Sequence, residues 1–298
     1  MVIIEHKFFN LYVKEYKEVG KMQRKLFCQI SPLTYSISIK RQRLERRIKD
    51  LLSNTKFSTE KSEKLPVVVY KHNSLIRRKL GNVNMELQEN KAVNLSLAAP
   101  KINGIIIRPG ETFSFWKLVG ICSAKKGYKE GLTISLSQPT QGIGGGMCQF
   151  TNLIHWLSLH SPLDIIEHHH HNNIDMFPDF GRQVPFGCGT SILFNYLDYR
   201  LKNNTDNTFQ LIVHTSETHL CGELRAFYPL NHSYHVVEKD MYFEKIDDNY
   251  YRKNKIYRET IDKRTGNMIK SELIKESNAK VLYSEEFINK DLLKSVEF

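Results

Sequence analysis

The sequence predicts an α+β protein: a mostly antiparallel sheet with a packed, cysteine-bearing helix, preceded by a basic helical segment at the N-terminus. Three observations lead to this prediction. Positive charge is concentrated early in the chain, one strongly amphipathic helix lies near its middle, and short alternating segments dominate after it. With 298 residues, of which 41% are hydrophobic, the chain is long enough to bury a real core.

The basic segment is the first element. Residues 1–60 hold 13 Lys and Arg against 6 Asp and Glu, which is most of the formal net charge of +11. Within residues 40–52, the apolar side chains form one helical stripe beneath a basic face. Such a helix either packs on the domain through its leucines or lies on an anionic membrane surface. No nucleic-acid motif accompanies it, so we expect no nucleic-acid partner.

The polar stretch 53–64 then predicts a linker, and the compact part is expected to begin near Pro66. We expect three parts: a basic, mainly helical segment over residues 1–64, an α+β domain over 65–229 and a β-rich extension over 230–298. Within the α+β domain, periodicity predicts a strand at 66–70 and a helix at 88–99 that stops at Pro100. Strands and turns are predicted next, at 105–107, 112–115 and 132–136.

The central helix is predicted directly after Cys148. Phe150, Leu153, Ile154 and Leu157 recur at helical spacing and define a buried face. The helix is expected to end near 160–162. The remaining predicted strands lie at 163–168, 191–197, 208–215, 220–228, 255–261 and 280–283.

Cysteine usage and hydropathy indicate the cellular compartment in which the protein is expected. The five cysteines form an odd set without short regular spacing, which argues against a disulfide framework and a CxxC zinc site. No stretch reaches the roughly 18–20 apolar residues of a membrane span, and Met1–Asn10 lacks the apolar region of a signal peptide. We therefore expect a cytoplasmic protein, or one held at the inner membrane surface through residues 40–52, and no cofactor.

Cys148 is the principal candidate for chemistry. It follows three glycines and opens the predicted helix, in the run Gly144-Gly145-Gly146-Met147-Cys148-Gln149. Consecutive glycines let a backbone approach a ligand closely, and a helix N-terminus offers unpaired N–H groups. These features are expected to favour thiolate over thiol.

A histidine run supplies the candidate partner. His168, His169, His170 and His171 follow Glu167, and in an extended chain His169 and His171 share one face while His168 and His170 share the other. One pair can therefore serve a site. The nearer His155 lies roughly 10 Å up the helix axis from Cys148, too far for direct proton transfer.

Three segments resemble the VanW family, whose namesake accompanies glycopeptide-resistance operons. The order and spacing of the segments also match, and the similarity runs from about residue 88 to 205. The segments are Arg108-Pro109-Gly110-Glu111-Thr112-Phe113-Ser114-Phe115-Trp116, Gly127-Tyr128-Lys129-Glu130-Gly131-Leu132 and Gly144-Gly145-Gly146-Met147-Cys148-Gln149.

The resemblance implies a link to peptidoglycan metabolism, because secreted family members resemble peptidoglycan transpeptidases that use the motif cysteine. Cys148 would then be the nucleophile, His169 or His171 would match the family's H-x-H stretch, and Arg182 would hold a carboxylate. Substrate binding or oxyanion stabilisation would fall to Gly144, Gly145, Gly146, Met147 and Gln149. The expected partner is a peptidoglycan stem peptide or precursor.

Two other functions remain open at this point. Cys148, His169 and His171 are ligand types that zinc favours, and an open fourth position would make a zinc hydrolase. Against this alternative, the motif glycines have no obvious role in a metal site. The other is a non-enzymatic accessory or ligand-binding protein, in which Cys148 is a buried free cysteine of the helix.

Overall fold

A computed structural model describes residues 26–78, 84–135, 138–170, 173–179 and 181–294. The mixed α and β class predicted from the sequence is confirmed. The helices are α1 (Phe27–Ile30), α2 (Pro32–Leu52), α3 (Met85–Ile102), α4 (Phe115–Val119) and α5 (Met147–Leu159). Short 3-10 turns occur at Ala124–Lys126, Glu285–Phe287 and Lys290–Leu292. No helix of the described ranges has the length and apolar character that crossing a bilayer requires.

Within the described ranges, the strands form three sheets and one hairpin. They are β1 (Val67–Leu75), β2 (Ile105–Ile107), β3 (Thr112–Ser114), β4 (Glu130–Ser135), β5 (Gln138–Ile143), β6 (Asp164–Glu167), β7 (Ile174–Asp175), β8 (Arg200–Lys202), β9 (Phe209–Thr215), β10 (His219–Ala226), β11 (His232–Ile246), β12 (Asn249–Asp262), β13 (Met268–Val281) and β14 (Leu293–Lys294).

The chain divides into two compact units, residues 1–48 and 49–298. In the first unit the structure describes α1 and most of α2, where Arg41 pairs with Glu45 one turn along the helix. The second unit contains the sheets. The stretch 53–64, predicted as a linker, belongs to this unit: Ser58 N–H donates to the Thr112 carbonyl, and Ser62 N–H donates to the Gly104 carbonyl. The predicted division at residues 64 and 229 stays a prediction.

A four-stranded antiparallel sheet, ordered β1-β10-β9-β2, forms the floor of the main core. Helix α3 packs on β9, and its buried side includes Leu95, Ala98 and Ile102. The helix runs through Pro100 instead of ending before it. Pro100 removes one backbone N–H only two residues from the end, and the buried Ile102 holds the last turn against the sheet.

Helix α5 crosses the same sheet on β1 and β10. Its predicted apolar face is buried, since Phe150 and Ile154 have no exposed surface and Leu153 has 1%. The contact is close at Gly222 of β10, where a Cβ would lie 2.9 Å from Leu157 and 3.0 Å from Leu153. A side chain larger than hydrogen at this position would therefore force the Leu153 and Leu157 side chains to shift.

A second sheet, ordered β14-β11-β12-β13-β7, is built mainly from three strands of 15, 14 and 14 residues. These long strands are β11, β12 and β13. The sequence predicted only short strands in this region, at 255–261 within β12 and at 280–283 near the end of β13. The side chains of these strands are mostly polar, so hydrophobic alternation understates their length.

A third sheet, β3-β8-β6, is joined to a buried charge network. Arg200 donates to both Asp50 oxygens at 2.7 and 2.9 Å and to Asp198 at 2.9 Å. The predicted strand 191–197 is absent; the chain makes a turn there, closed by hydrogen bonds between Leu193 and Leu197. This turn brings the backbone of residue 192 to Cys148.

Candidate active site

The glycine triplet packs against protein rather than leaving space. A Cβ on Gly145 would lie 2.6 Å from the carbonyl oxygen and 2.7 Å from the Cα of Gly131. A Cβ on Gly146 would meet the Lys91 side chain, and one on Gly144 would meet Cys122. The triplet is therefore needed to bring β4, α3 and the start of α5 together, a packing reason that the sequence alone did not reveal.

The backbone of the triplet is also partly used within the fold. Gly144 N–H donates to the Lys129 carbonyl at 2.9 Å, and Gly145 N–H donates to the Gly142 carbonyl at 3.2 Å. Gly146 is the N-cap of α5, with a φ of 105° that favours glycine. Because the N–H groups of Gly144 and Gly145 have protein acceptors, these two groups are not free to stabilise an oxyanion.

Cys148 lies in the first turn of α5 and is half-buried. Burial raises the pKa of its thiol, while hydrogen bonds from the backbone N–H of Ile192 and of Cys148 itself lower it. Burial dominates, so the thiolate expected from the helix N-terminus is not the resting form. Ile192 N–H is a donor at the sulfur that sequence reasoning missed, because residue 192 lies 44 positions away along the chain.

Three histidines, called here the histidine cluster, lie side by side: His155 is buried, and His168 and His170 are half-buried. The ring centroids of His155 and His168 lie 4.0 Å apart, and those of His168 and His170 lie 3.9 Å apart. Burial and the neighbouring imidazoles lower the pKa of His155 well below its usual range. Burial likewise lowers the pKa of His168 to about 4 and that of His170 to about 2. The cluster is neutral at physiological pH.

Of the two predicted histidines, the one that the structure describes, His169, lies elsewhere. His169 Nε2 is 3.0 Å from Glu167 Oε1, which also accepts the Asp198 backbone N–H at 2.9 Å. This places His169 beside the Arg200 network, and His171 lies outside the described residues. The residue of the run that borders the same cavity as Cys148 is His170. His155, excluded above as a direct partner of Cys148, hydrogen-bonds Tyr199 at 3.1 Å through Nδ1.

Cys148 and His170 line one cavity of about 250 Å³. Helix α5 and the loop 187–190 form one wall, and β13 forms another. Arg182 also borders it. The cavity is lined by Cys148, Asn152, His170, Asn173, Ile174, Asp175, Met176, Phe177, Arg182, Phe186, Gly187, Gly189, Thr190, Lys275, Glu276, Ser277, Asn278 and Ala279.

Arg182 is held by carboxylates. Its Nε lies 2.7 Å from Asp179, and the same carboxylate pairs with the buried Arg252 at 2.5 Å. Asp175 completes the group, 3.3 Å from Arg252 and 3.9 Å from Arg182. Two arginines and two aspartates thus balance in charge, and Arg182 is fixed in orientation at the cavity wall.

Two predicted site residues have structural contacts. The Gln149 carboxamide donates to Ser74 Oγ at 2.9 Å and to the Leu75 carbonyl at 2.8 Å, which ties α5 to β1. Met147 is buried in the main core. Neither side chain borders the cavity with Cys148.

A metal site has little support among the described residues, where no group of three or more His, Cys, Asp and Glu side chains could hold an ion. Of the three ligands considered for zinc, Cys148 and His169 lie in separate surroundings, because His169 pairs with Glu167.

Comparisons with known proteins agree with the motifs around Cys148. The family model described as "VanW like protein" matches residues 90–225. The vancomycin B-type resistance protein VanW of Enterococcus faecalis (strain ATCC 700802 / V583) is 32% identical over 219 residues, covering 74% of this chain and 79% of that protein. The uncharacterized protein YoaR of Bacillus subtilis (strain 168) is 29% identical over 115 residues, 39% of this chain and 36% of that protein. No solved structure matches significantly. By the extent and identity of the match to the Enterococcus faecalis protein, the chain belongs to the VanW family.

Proposed function

We propose that this protein is a cysteine-dependent acyltransferase or peptidase that acts on peptidoglycan stem peptides and contributes to glycopeptide resistance. One observation carries the proposal: Cys148, His170 and Arg182 border the same cavity. A thiol, an imidazole and a guanidinium are the groups needed to attack an amide carbonyl, move a proton and bind a carboxylate. The relative from Enterococcus faecalis, named as a vancomycin resistance protein, supports the biological setting.

In the proposed reaction Cys148 Sγ attacks the carbonyl carbon of a peptide bond. The thiol proton passes to a neutral imidazole of the histidine cluster, for which His170 is the candidate because it borders the cavity. The backbone N–H groups of Cys148 and Ile192 are candidate donors to the oxyanion, since both already point to the sulfur.

The tetrahedral intermediate then collapses. The C–N bond breaks, the imidazolium returns its proton to the leaving amine, and a thioester remains on Cys148. An incoming amine gives transpeptidation, and water gives hydrolysis. Arg182 is the candidate to bind a carboxylate of the peptide, because Asp179 and Phe177 fix its Nε and one Nη.

Turnover of a synthetic stem pentapeptide tests the proposal. The wild-type protein is expected to release the C-terminal residue or to form a new amide with an added amine, and Cys148→Ala is expected to abolish both reactions. Cys188→Ala is the matched control, because Cys188 is a buried cysteine that does not line the cavity, so its loss should leave turnover intact. Equal turnover by the wild-type protein and Cys148→Ala would contradict the proposal.

A non-enzymatic accessory role is the second candidate, favoured by one observation. Burial raises the pKa of the Cys148 thiol, so little nucleophilic thiolate is present at rest. In this case the cavity binds a peptide without reacting, and Cys148→Ala leaves any resistance phenotype intact. A resistance assay with cells that carry only Cys148→Ala separates the two candidates.

We also propose that α2 contacts the cytoplasmic membrane surface. Leu44, Ile48 and Leu51 are exposed, the last at 83%, on a helix rich in Arg and Lys. The full-length protein is expected to sediment with anionic vesicles, and 1 M NaCl or Leu51→Glu should weaken this binding. Equal binding to neutral and anionic vesicles would contradict an electrostatic contact.

A further inference from the structure

The second wall of the cavity comes from outside the matched family domain. Five consecutive residues of β13, from Lys275 to Ala279, border the cavity that Cys148 also borders. The family model matches residues 90–225 and does not reach this strand. Whatever binds near Cys148 therefore also meets the C-terminal sheet.

This part of β13 is a sheet edge. One side of the strand pairs with β12 over nearly its full length. On the other side, the pairing that the described strands provide is limited to β7, at Lys280 and Val281. Before Lys280, at the cavity, this side of the strand thus has no paired strand among the described residues.

The direction of the main chain follows from the β7 pairing. Lys280 N–H donates to the Asn173 carbonyl and Leu282 N–H to the Asp175 carbonyl, each at 2.9 Å. In a strand, alternate residues direct their N–H and C=O groups to the same side. No register shift separates residues 275–280 from β12, so Asn278 and Glu276 direct their main-chain groups to the β7 side, as Lys280 does.

In the ranges that the structure describes, the main chains of Glu276 and Asn278 make no hydrogen bond on the β7 side. Both residues are exposed, and both border the cavity. Successive main-chain donors and acceptors along an open edge are the groups to which an extended peptide adds as a strand.

The chemistry of the cavity restricts the occupant. Its charged side chains are Arg182 and Lys275 against Asp175 and Glu276, which leaves no excess of either sign. At about 250 Å³ it lies below the roughly 300 Å³ at which pockets for drug-sized ligands begin. A neutral, short stretch of peptide backbone fits these limits better than a phosphorylated or strongly charged ligand.

We propose that an extended peptide binds as an added strand along β13 at Glu276 and Asn278, with its carbonyl group directed across the cavity to Cys148. The C-terminal sheet then determines which peptides enter the site. The identity of the peptide as a stem peptide rests on the proposed function, whereas the strand-addition geometry rests on β13 alone.

Binding measurements on the full-length Cys148→Ala protein test this without requiring chemistry. The probe is a synthetic stem pentapeptide, measured by calorimetry together with a series in which each amide is N-methylated in turn. Strand addition predicts that methylation at alternate amides weakens binding about tenfold, while the intervening positions are tolerated.

A pair of substitutions tests the protein side. Asn278→Pro removes the main-chain N–H, and the matched Asn278→Ala retains it. Because a proline is accepted on a sheet edge when its nitrogen faces outward, both variants are expected to unfold near the wild-type temperature. Asn278→Pro is expected to weaken binding about tenfold relative to Asn278→Ala.

The outcomes are decisive in each direction. A period-two methylation pattern together with a Pro-specific loss supports strand addition. Uniform tolerance of methylation, equal affinity of the two variants, or no peptide binding overturns it. Strand-like binding without any acylation of wild-type Cys148 would overturn the proposed function and leave this inference standing.

Discussion

Replacing Gly145 by alanine tests the packing of the glycine triplet. Gly145 does not have a positive φ, so alanine can adopt its backbone conformation. The obstacle is space: the new Cβ would lie 2.6 Å from the carbonyl oxygen and 2.7 Å from the Cα of Gly131. Both atoms are backbone atoms of β4, which cannot rotate away as a flexible side chain could.

The cost can be estimated from this geometry. Ordinary van der Waals contact begins at 3.4 Å, so β4 or the start of α5 has to move by close to 1 Å. Asn94 opposes this movement, because its carboxamide bonds the Gly145 carbonyl at 2.9 Å and the Lys129 backbone N–H at 2.7 Å. Overpacking of this kind costs about 3 kcal/mol. For a unit of this size, that lowers the unfolding temperature by about 6–12 °C.

Thermal unfolding followed by circular dichroism provides the assay, with Gly189→Ala as the matched control. Gly189 also borders the cavity, has no positive φ, and would place its Cβ in open space with nothing within 4 Å. Gly189→Ala is expected to unfold near the wild-type temperature. Equal unfolding temperatures for Gly145→Ala and the wild-type protein would refute the close approach of α5 to β4.

Three further predictions concern the charged and titratable groups. Because burial raises the pKa of Cys148, its alkylation by iodoacetamide should be slower at pH 7.5 in the native protein than in urea, and should accelerate as the pH rises. The histidine cluster has depressed pKa values, so the unfolded chain binds more protons below about pH 6.5. The free energy of unfolding should therefore fall between pH 7 and pH 5, by up to about 2 kcal/mol per histidine, in denaturant titrations. Arg200→Met removes the only cation paired with the buried Asp198 among the described residues and leaves Asp50 with Lys117 alone, so it should lower the same free energy by about 3–5 kcal/mol.

Each of these has a result that would count against it. Cys148 alkylation that is as fast in the native protein as in urea would mean that burial does not control the thiol. A flat stability profile from pH 7 to 5 would mean that the cluster is protonated or solvated. For Arg200, the control is Arg41→Met, which removes an exposed pair worth at most about 1 kcal/mol, and a similar cost for both variants would contradict a buried network.

Local patterns in the sequence predict those features of the fold that depend on a single helix or strand. The spacing of Phe150, Leu153, Ile154 and Leu157 predicts a buried helical face, and those side chains do face the core. The strand prediction at 191–197 was wrong, because a turn closed between Leu193 and Leu197 replaces it. Strand β11 was not predicted and β12 was predicted only in part, because these strands are stabilised by each other and carry mostly polar side chains.

The sequence predicts those candidate site residues that lie within one continuous segment of the chain. Cys148 could be selected from its motif and its place at a helix start. That one pair of the histidine run serves a site stays a prediction, and which side chains of the run border the cavity of Cys148 depends on how β6 pairs with β8 and on the bulge near Glu167. The contributions of Ile192 and β13 come from segments far away in sequence, so no local pattern indicates them.

The central claim is that Cys148 becomes acylated by a peptide, and the mass of the protein tests it most directly. The wild-type protein is incubated with a synthetic stem pentapeptide, quenched in acid, digested and analysed by tandem mass spectrometry. The proposal predicts an acyl group on Cys148 that hydroxylamine removes, and no such group on Cys188 or in Cys148→Ala. An unmodified Cys148 beside bound, uncleaved peptide, over the pH range in which its thiol ionises, would contradict the claim.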